Sequence, residues 1–589
     1  MPPLVYRLDA TQPASHRLGV ELDLDLDALR AAGSLAGEEL LLFLPTWTPG
    51  SYLIREYSRQ LSRVEASGAD GAILPCVKVA KNRFRIATPA GARTVRIRYQ
   101  VYARELSVRT ADVTAEHAYW NHACVLLWPV AARRLAVQLT VQHPPEWRLA
   151  CALGQLHTPL ATPGSVTLMA HDLDEVLDSP ILIGDFEQIE WQVAGVTHRI
   201  VLDGLGGVRP PETLIADLTR IIERAAAVFG GALPYRDYTF LCLFAAEGHG
   251  GLEHAASTTL LMARTALSDA KQYREFLGLA AHEHFHAWNV KRMRPVEFWD
   301  YDYENENYSS LLWLVEGWTA YYDDLLCHRA GLLTREDYLA VMAKNVNTML
   351  TGPGRLRLSL AESSFDAWIR LYRPDENTRN SSQNYYGNGA VAALCLDLMI
   401  RRTTRGAASL DDVLRRLYDH TFGQGRGYTR EDVADAVRSV AGVEVVRAHA
   451  ALVDGALDPD LAALLGDFGI RVRALENPKP YFGVSFNSGS TTVASVTLDS
   501  PADRAGIAPG DECIAVAGLR VDSSNWNDVF AAVARCGVAI EVLLARRGVI
   551  TRLFVTPGAT MPGVAFEILD VATTEQQHLR DLWLVPPTK

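Results

Sequence analysis

Leu279-Ala280-Ala281-His282-Glu283-His284-Phe285-His286-Ala287-Trp288-Asn289 is the stretch on which the reading of this 589-residue chain turns. On a helix of about 3.6 residues per turn, positions four apart stand above one another, so His282 and His286 share a face. Both imidazoles can then reach one metal ion, while Glu283, roughly 100° round the helix, can reach a water beside it. Zinc takes nitrogen ligands and keeps an open position, and a nearby carboxylate can accept the water's proton. The apolar run Phe276-Leu277-Gly278-Leu279-Ala280-Ala281 before the motif is that of a helix buried in a core. The alternative is a histidine pair satisfied within the core, with no metal. His284 lies two positions from each histidine of the pair and is read as a non-ligand pointing elsewhere.

The length calls for about three or four domains. Hydrophobic residues make up 48% and charged residues 21%, the balance of an ordinary soluble globular protein. A net charge of −12 argues against a sequence-independent hold on nucleic acid, which needs a basic face. No apolar run is long enough to span a bilayer, so no membrane partner is expected. The first residues, Met1-Pro2-Pro3-Leu4-Val5-Tyr6-Arg7-Leu8-Asp9, carry no signal-peptide pattern. The eight cysteines are scattered without a Cys-x-x-Cys pair, as reduced thiols would be, and the compartment expected from both features is the cytoplasm.

Taken in order, the chain opens with β patterns. Val20-Glu21-Leu22-Asp23-Leu24-Asp25-Leu26 alternates apolar with acidic residues, and Val95 to Tyr102 alternates apolar with basic and polar ones. These runs and the turns between them predict a β-sandwich over residues 1–188. Within it, Leu44-Pro45-Thr46-Trp47-Thr48-Pro49-Gly50-Ser51-Tyr52 reads as a rigid loop, either packed for stability or placed at a domain interface. A helix is expected from Pro211 to about Phe229, then a buried strand at Tyr238 to Phe244. Gly250 and Gly251 beside that strand allow close backbone approach, here by an extended peptide. An aromatic, acidic stretch runs from Phe298 to Tyr308, and mostly helical sequence continues to about Arg473. Short strands then return around Tyr481–Phe486, Thr492–Val496, Ala539–Leu544 and Thr551–Val555.

A catalytic zinc site normally has a third protein ligand. Glu316, a carboxylate inside Trp313-Leu314-Val315-Glu316-Gly317-Trp318, is the best candidate, because a buried carboxylate is costly unless paired or bound to metal. An ion-paired core glutamate is the alternative. Asp323 and Asp324 both stand where they can orient a ligand histidine.

His282-Glu283-x-x-His286 followed by Glu316 in Val-Glu-Gly-Trp-Thr-Ala-Tyr-Tyr resembles the gluzincin metallopeptidases. Gly250-Gly251-Leu252-Glu253-His254 resembles the Gly-x-Met-Glu-Asn exopeptidase motif of the aminopeptidase N clan. Three features are closer to its glycyl aminopeptidase branch, whose members carry a C-terminal PDZ domain: His286 to Pro295, Trp47 to Tyr52, and a PDZ-like tail with Tyr481-Phe482-Gly483-Val484 and Ser500 to Asp511. The resemblance covers nearly the whole chain. It departs from the wider clan in the longer spacing between His286 and Glu316 and in His254 standing for Asn.

The resemblance implies a multidomain α+β fold: the β-sandwich, a thermolysin-like, mainly helical catalytic domain at 189–472, and a PDZ-like domain with a tail at 473–589. It implies one Zn2+ per chain on His282, His286 and Glu316, with Glu283 as general base. Glu253 is implied to anchor the substrate's α-amine, which a carboxylate does by a charge-assisted hydrogen bond. Asn384-Tyr385-Tyr386-Gly387-Asn388-Gly389 resembles the segment that offers a phenol to the tetrahedral intermediate; Tyr386 aligns best, Tyr385 is the alternative, and Asn388 replaces a lysine. The expected activity is release of small N-terminal residues, Gly or Ala, from peptides with a free N-terminus. The competing readings are an endopeptidase that recruits peptide C-termini through the PDZ-like domain, and a catalytically idle peptide-binding scaffold. That domain itself reads equally as a peptide-capture groove or a docked structural module.

Overall fold

Every second side chain between Arg17 and Asp25 is apolar, and that alternation builds the widest sheet of the computed structural model, which describes residues 2–156, 163–475 and 479–585. Leu18, Val20, Leu22 and Leu24 face inward and are buried. The intervening acids face outward, where Arg96 donates to Asp23 at 2.6 Å and Arg98 to Glu21 at 2.8 Å across the strand pair. Such exposed pairs contribute roughly 0.2–1 kcal/mol each and help hold the register. Eight strands form this sheet, and sheets of four and five strands complete a β-rich N-terminal region.

By its contacts the chain divides into two units, Met1–Asn307 with Leu417–Tyr428, and Tyr308–Arg416 with Thr429–Lys589. The first unit continues past the β-rich region into a mixed five-stranded sheet. Its order is Glu187–Val193, Val196–Asp203, Asp237–Ala245, Ser257–Ala263 and, at the edge, His249–Glu253. The central strand, Asp237–Ala245, runs parallel to both neighbours and is buried on both faces, which explains its continuous apolar sequence. Helices Leu214–Val228 and Ala270–Phe285 pack together beside this sheet. Asp269 caps the second of them, accepting from the N–H groups of Lys271 and Gln272.

The Pro-rich loop at Leu44–Tyr52 docks onto the aromatic, acidic stretch. The Trp47 indole donates to the Asp302 carbonyl at 2.7 Å, and the Thr46 N–H donates to that of Tyr303 at 2.9 Å. Glu304 accepts a fork of hydrogen bonds from Arg83. The β-rich region is also tied to the mixed sheet at His117, whose Nδ1 lies 2.5 Å from Asp203 and whose Nε2 lies 3.2 Å from Asp112.

The second unit is mostly helical, with Gly317–Arg329 against Gly387–Thr403 at its centre. A C-terminal module follows, with strands Val484–Phe486, Val493–Val496, Glu512–Val516, Ile540–Arg546 and Val549–Val555, and a helix at Trp526–Val533. Asn380 fastens it, donating to the Val496 carbonyl and accepting from the Leu498 N–H. The last helix, Thr574–Leu584, packs back onto the unit: the Trp583 indole donates to the Tyr321 hydroxyl, and Arg401 donates to the Leu582 carbonyl. Among the described residues all eight cysteines are free, and no helix is long and apolar enough to cross a membrane.

Burial works against the charged form of His117, but Asp112 and Asp203 outweigh it and raise its pKa to about 9. A group whose folded pKa lies above its unfolded value contributes stability below the unfolded pKa and loses it as pH rises through the folded one. The contribution is therefore complete below about pH 6.5 and lost through about pH 9, worth at most about 3 kcal/mol. Urea titrations between pH 7 and 10 should show the wild-type midpoint falling more steeply than that of His117→Gln; parallel curves would refute the assignment.

Candidate active site

Helix Ala270–Phe285 ends at the motif, with His286 as its C-terminal cap. His282, Glu283 and His286 are 8%, 5% and 1% exposed, so three groups that water would otherwise solvate lie together in the interior. The two imidazoles stand with ring centroids 4.8 Å apart and nearly perpendicular. His286 Nδ1 is 2.7 Å from the Asn289 carbonyl, which can only accept, so the proton sits on Nδ1 and Nε2 keeps its lone pair. A reversal with Val290 at φ 137° follows, and the Lys291 N–H donates back to the His286 carbonyl at 3.0 Å. That φ is strained for a β-branched residue, and it sits directly after the motif.

The edge strand His249–Glu253 approaches the same helix. A Cβ built on Gly251 would overlap the Glu283 carboxylate, so only glycine permits this spacing. Two residues on, Glu253 is buried, and one donor atom from each of Glu253, Glu283 and His286 lies within 4.8 Å of the other two. Gly250 and Gly251 are half-buried and pair with Leu261 and Leu260, and Arg109 donates to the Gly251 carbonyl at 3.3 Å. Gly50, at φ 86°, faces the other side of Glu253, where a Cβ would overlap both carboxylate oxygens.

The sequence reading missed Asp178 and Lys291. Lys291 is buried, with Nζ 2.5 Å from Asp178 Oδ1. Asp178 also meets His254 Nδ1 at 3.2 Å and accepts from the Ala255 N–H at 2.8 Å. Burial alone would raise the Asp178 carboxyl pKa, but the Lys291 ammonium and His254 hold it well below the usual carboxylate range. Lys291 stands in the segment His286 to Pro295 that follows the motif and was within reach of sequence reasoning; Asp178, in Leu177-Asp178-Ser179-Pro180, carries no local signal.

His284 faces the opposite way. Its Nε2 lies 2.5 Å from the Tyr235 hydroxyl, which also meets His198 Nε2 at 3.1 Å, and its ring sits among Tyr238, Phe240 and Trp288. Burial, followed by the neighbouring His198, pushes its pKa well below the ordinary value, so it is a neutral core histidine.

Glu316, Tyr385 and Tyr386 belong to the second unit. Glu316 is 2% exposed and immediately precedes helix Gly317–Arg329. A Cβ on Gly317 would stand 2.6 Å from the Gly389 Cα and 2.8 Å from the Tyr385 carbonyl oxygen, so two glycines let helix backbones touch. That contact sets the segment of Tyr385 and Tyr386 beside the start of the Glu316 helix. The two phenol rings stack at 5.0 Å, and the Tyr386 hydroxyl lies 3.3 Å from that of Tyr372. Burial, reinforced by Glu316 and Tyr372, raises both phenols well above their ordinary pKa, so they remain protonated donors. Asp323 and Asp324 lie on the same helix as Glu316's successors, in the second unit.

The peptidase M61 N-terminal domain model matches residues 5–185, and the M61 glycyl aminopeptidase model matches residues 275–392. A solved structure of an aminopeptidase N family protein from Idiomarina loihiensis superposes with a TM-score of 0.89 at 29% identity, covering 99% of this chain and 100% of that one. An M1 zinc metallopeptidase from Deinococcus radiodurans aligns at 18% identity and a TM-score of 0.49, over 78% of this chain and 94% of its own. No curated protein matches the chain by sequence.

Gly251→Ala tests the approach of strand to helix. The added methyl meets the end of a side chain, so the carboxylate moves and the strand stays. Thermal unfolding should change little, while any reaction using Glu283 falls by about a hundredfold. An unchanged rate would show that the carboxylate does not act from this position.

Proposed function

We infer the function from the premise that the chain belongs to the M61 glycyl aminopeptidase family and is therefore a zinc metallopeptidase. Our reading is a zinc aminopeptidase that removes single N-terminal residues, small ones such as Gly or Ala, from peptides. The observation that carries it is the convergence of Glu253 with Glu283 and His286 within 4.8 Å. A second buried carboxylate so close to the general base suits a protonated α-amine held one residue from the scissile bond.

One Zn2+ per chain is held, in this proposal, by His282, His286 and Glu316. The lone pair left on His286 Nε2 and the burial of all three side chains fit a nitrogen, nitrogen and carboxylate donor set. When bound, zinc polarises a carbonyl and acidifies water. Glu253 accepts hydrogen bonds from the substrate's ammonium group. The open edge of strand His249–Glu253, with Gly250 and Gly251, receives the extended peptide. Glu283 takes a proton from the attacking water and delivers it to the leaving amine as the C–N bond breaks. Tyr386, with Tyr385 as the alternative, donates its phenolic hydrogen to the oxyanion, a contact worth about 3 kcal/mol in comparable sites.

Two observations favour a docked structural role for the PDZ-like module over capture of peptide C-termini. Asn380 binds both Val496 and Leu498, and the Phe486 and Trp526 rings touch, 4.6 Å apart, between the strand and helix that would flank a peptide.

Cleavage of Gly- or Ala-initiated peptides should fall by at least about a hundredfold on acetylation of their N-termini; equal cleavage would replace this reading with an endopeptidase. Glu283→Gln is expected to keep its zinc and lose at least about a hundredfold in rate. Glu316→Ala should lose zinc by elemental analysis, and full metal content in that variant would remove Glu316 from the ligand set.

A further inference from the structure

Glu253 sits on the mixed sheet, yet the groups that fix it in place come from the β-rich region. Gly50 lies against its carboxylate from one side, on a loop pinned four and three residues earlier through Thr46 and Trp47. Asp178, at the end of a short helix of the same region, spends both oxygens on the surroundings of Glu253. Oδ2 accepts from the N–H of Ala255, two residues after Glu253, and Oδ1 meets the ring of the intervening His254. The same Oδ1 pairs with Lys291, whose backbone N–H is bonded to the carbonyl of His286. One carboxylate therefore joins the end of the amine-site strand to the segment leaving the motif helix. The Lys291 and His254 side chains are 3% and 2% exposed, so water offers little competition for these bonds.

We propose that Asp178 and Gly50 are positioning residues that set the separation between Glu253 and the motif helix, and thereby make the enzyme count one residue from the peptide's N-terminus. The proposal rests on the reading of Glu253 as the amine anchor. An exopeptidase register is a distance: the ammonium group and the scissile carbonyl are a fixed span apart, and displacing one holder by about 1 Å can cost about a hundredfold. Gly50 limits how far the carboxylate can swing towards the β-rich region, since its backbone occupies the space on that side. Asp178 limits how far the strand end can drift from the helix. A cavity of about 450 Å³ bordered by Pro49, Asp178, Ala255 and Lys291 leaves the strand end room to move once the clamp is released.

The test compares Gly-initiated peptides with free and acetylated N-termini on the zinc-loaded enzyme, measuring kcat, KM and zinc content. Asp178→Asn combined with Lys291→Met removes the clamp without stranding a buried ammonium. It is expected to raise KM for the free-amine peptide about tenfold and to lower the preference for a free amine by the same factor. The kcat should stay within about threefold and zinc at the wild-type content. Gly50→Ala should shift both quantities in the same direction, and Asp178→Glu, which keeps the charge but lengthens the clamp, should raise KM as well. Unchanged KM and preference in these variants, while Glu253→Gln abolishes the preference, would overturn the positioning role and leave the anchor standing. A wild-type enzyme indifferent to acetylation would instead sink the anchor, and this proposal with it. Should the double variant not unfold cooperatively, Gly50→Ala and Asp178→Glu decide by the same two outcomes.

Discussion

The site depends on how closely one strand can lie against one helix. At Gly251 the backbone of the edge strand touches the Glu283 carboxylate, and no side chain fits between them. This contact brings Glu253, two residues on along the same face of the strand, to within a few ångströms of Glu283 and His286. A thicker residue at 251 would push the Glu283 carboxylate from its place and separate two carboxylates whose proximity gives the site its character. The helix is held in turn by its buried apolar face, by the Asp269 cap and by the neighbouring helix Leu214–Val228. Packing of ordinary hydrophobic residues thus carries the precision needed by the charged ones.

Ionisable groups are numerous here for an interior. Glu253, Glu283, His286, Lys291 and His254 are all buried, with Asp178 nearly so. Removing one member of such a set leaves an uncompensated charge, at a cost of about 3–5 kcal/mol, whereas the complete set is tolerated. The β-rich region acquires a role beyond support from this arrangement. It contributes Asp178 to the charge set, Arg109 to the Gly251 carbonyl and the Gly50 backbone to the Glu253 carboxylate. Its Pro-rich loop, for which the sequence left stability and interface roles open, does both: Trp47 and Thr46 anchor it, and Gly50 presents it to Glu253.

Residues whose chemistry is expressed locally were legible in the sequence. The histidine spacing needs only helical periodicity, and the β alternation of Arg17–Asp25 needs only an inside and an outside. Family membership was legible through several short motifs read together. What escaped was chemistry completed by distant residues. Asp178 precedes its partner Lys291 by more than a hundred positions, and nothing around it marks it as more than a turn residue. His284 looked superfluous because its aromatic surroundings are assembled from Tyr235, Tyr238 and Phe240, all on another part of the chain. Gly251 was legible as a place of close approach, but that the Glu283 carboxylate lies against it was not. The helix at Thr574–Leu584, read only as a tail, became part of the second unit's interior through Trp583.

That final helix bears on how the molecule is made. Trp583 bonds to Tyr321 across 262 positions, the Leu584 carbonyl meets His328, and the Leu582 carbonyl meets Arg401. Tyr321 and His328 lie on the helix that follows Glu316. During synthesis this helix leaves the ribosome long before the segment that covers it, and closing so long a loop is entropically slow. The nascent chain must therefore carry an exposed apolar flank on that helix until residues 574–584 have emerged. A chain lacking residues 574–584 would keep that flank uncovered and leave Tyr321 and His328 open to water. Emergence of Thr574–Leu584 is thus the step that lets the interior of the second unit close.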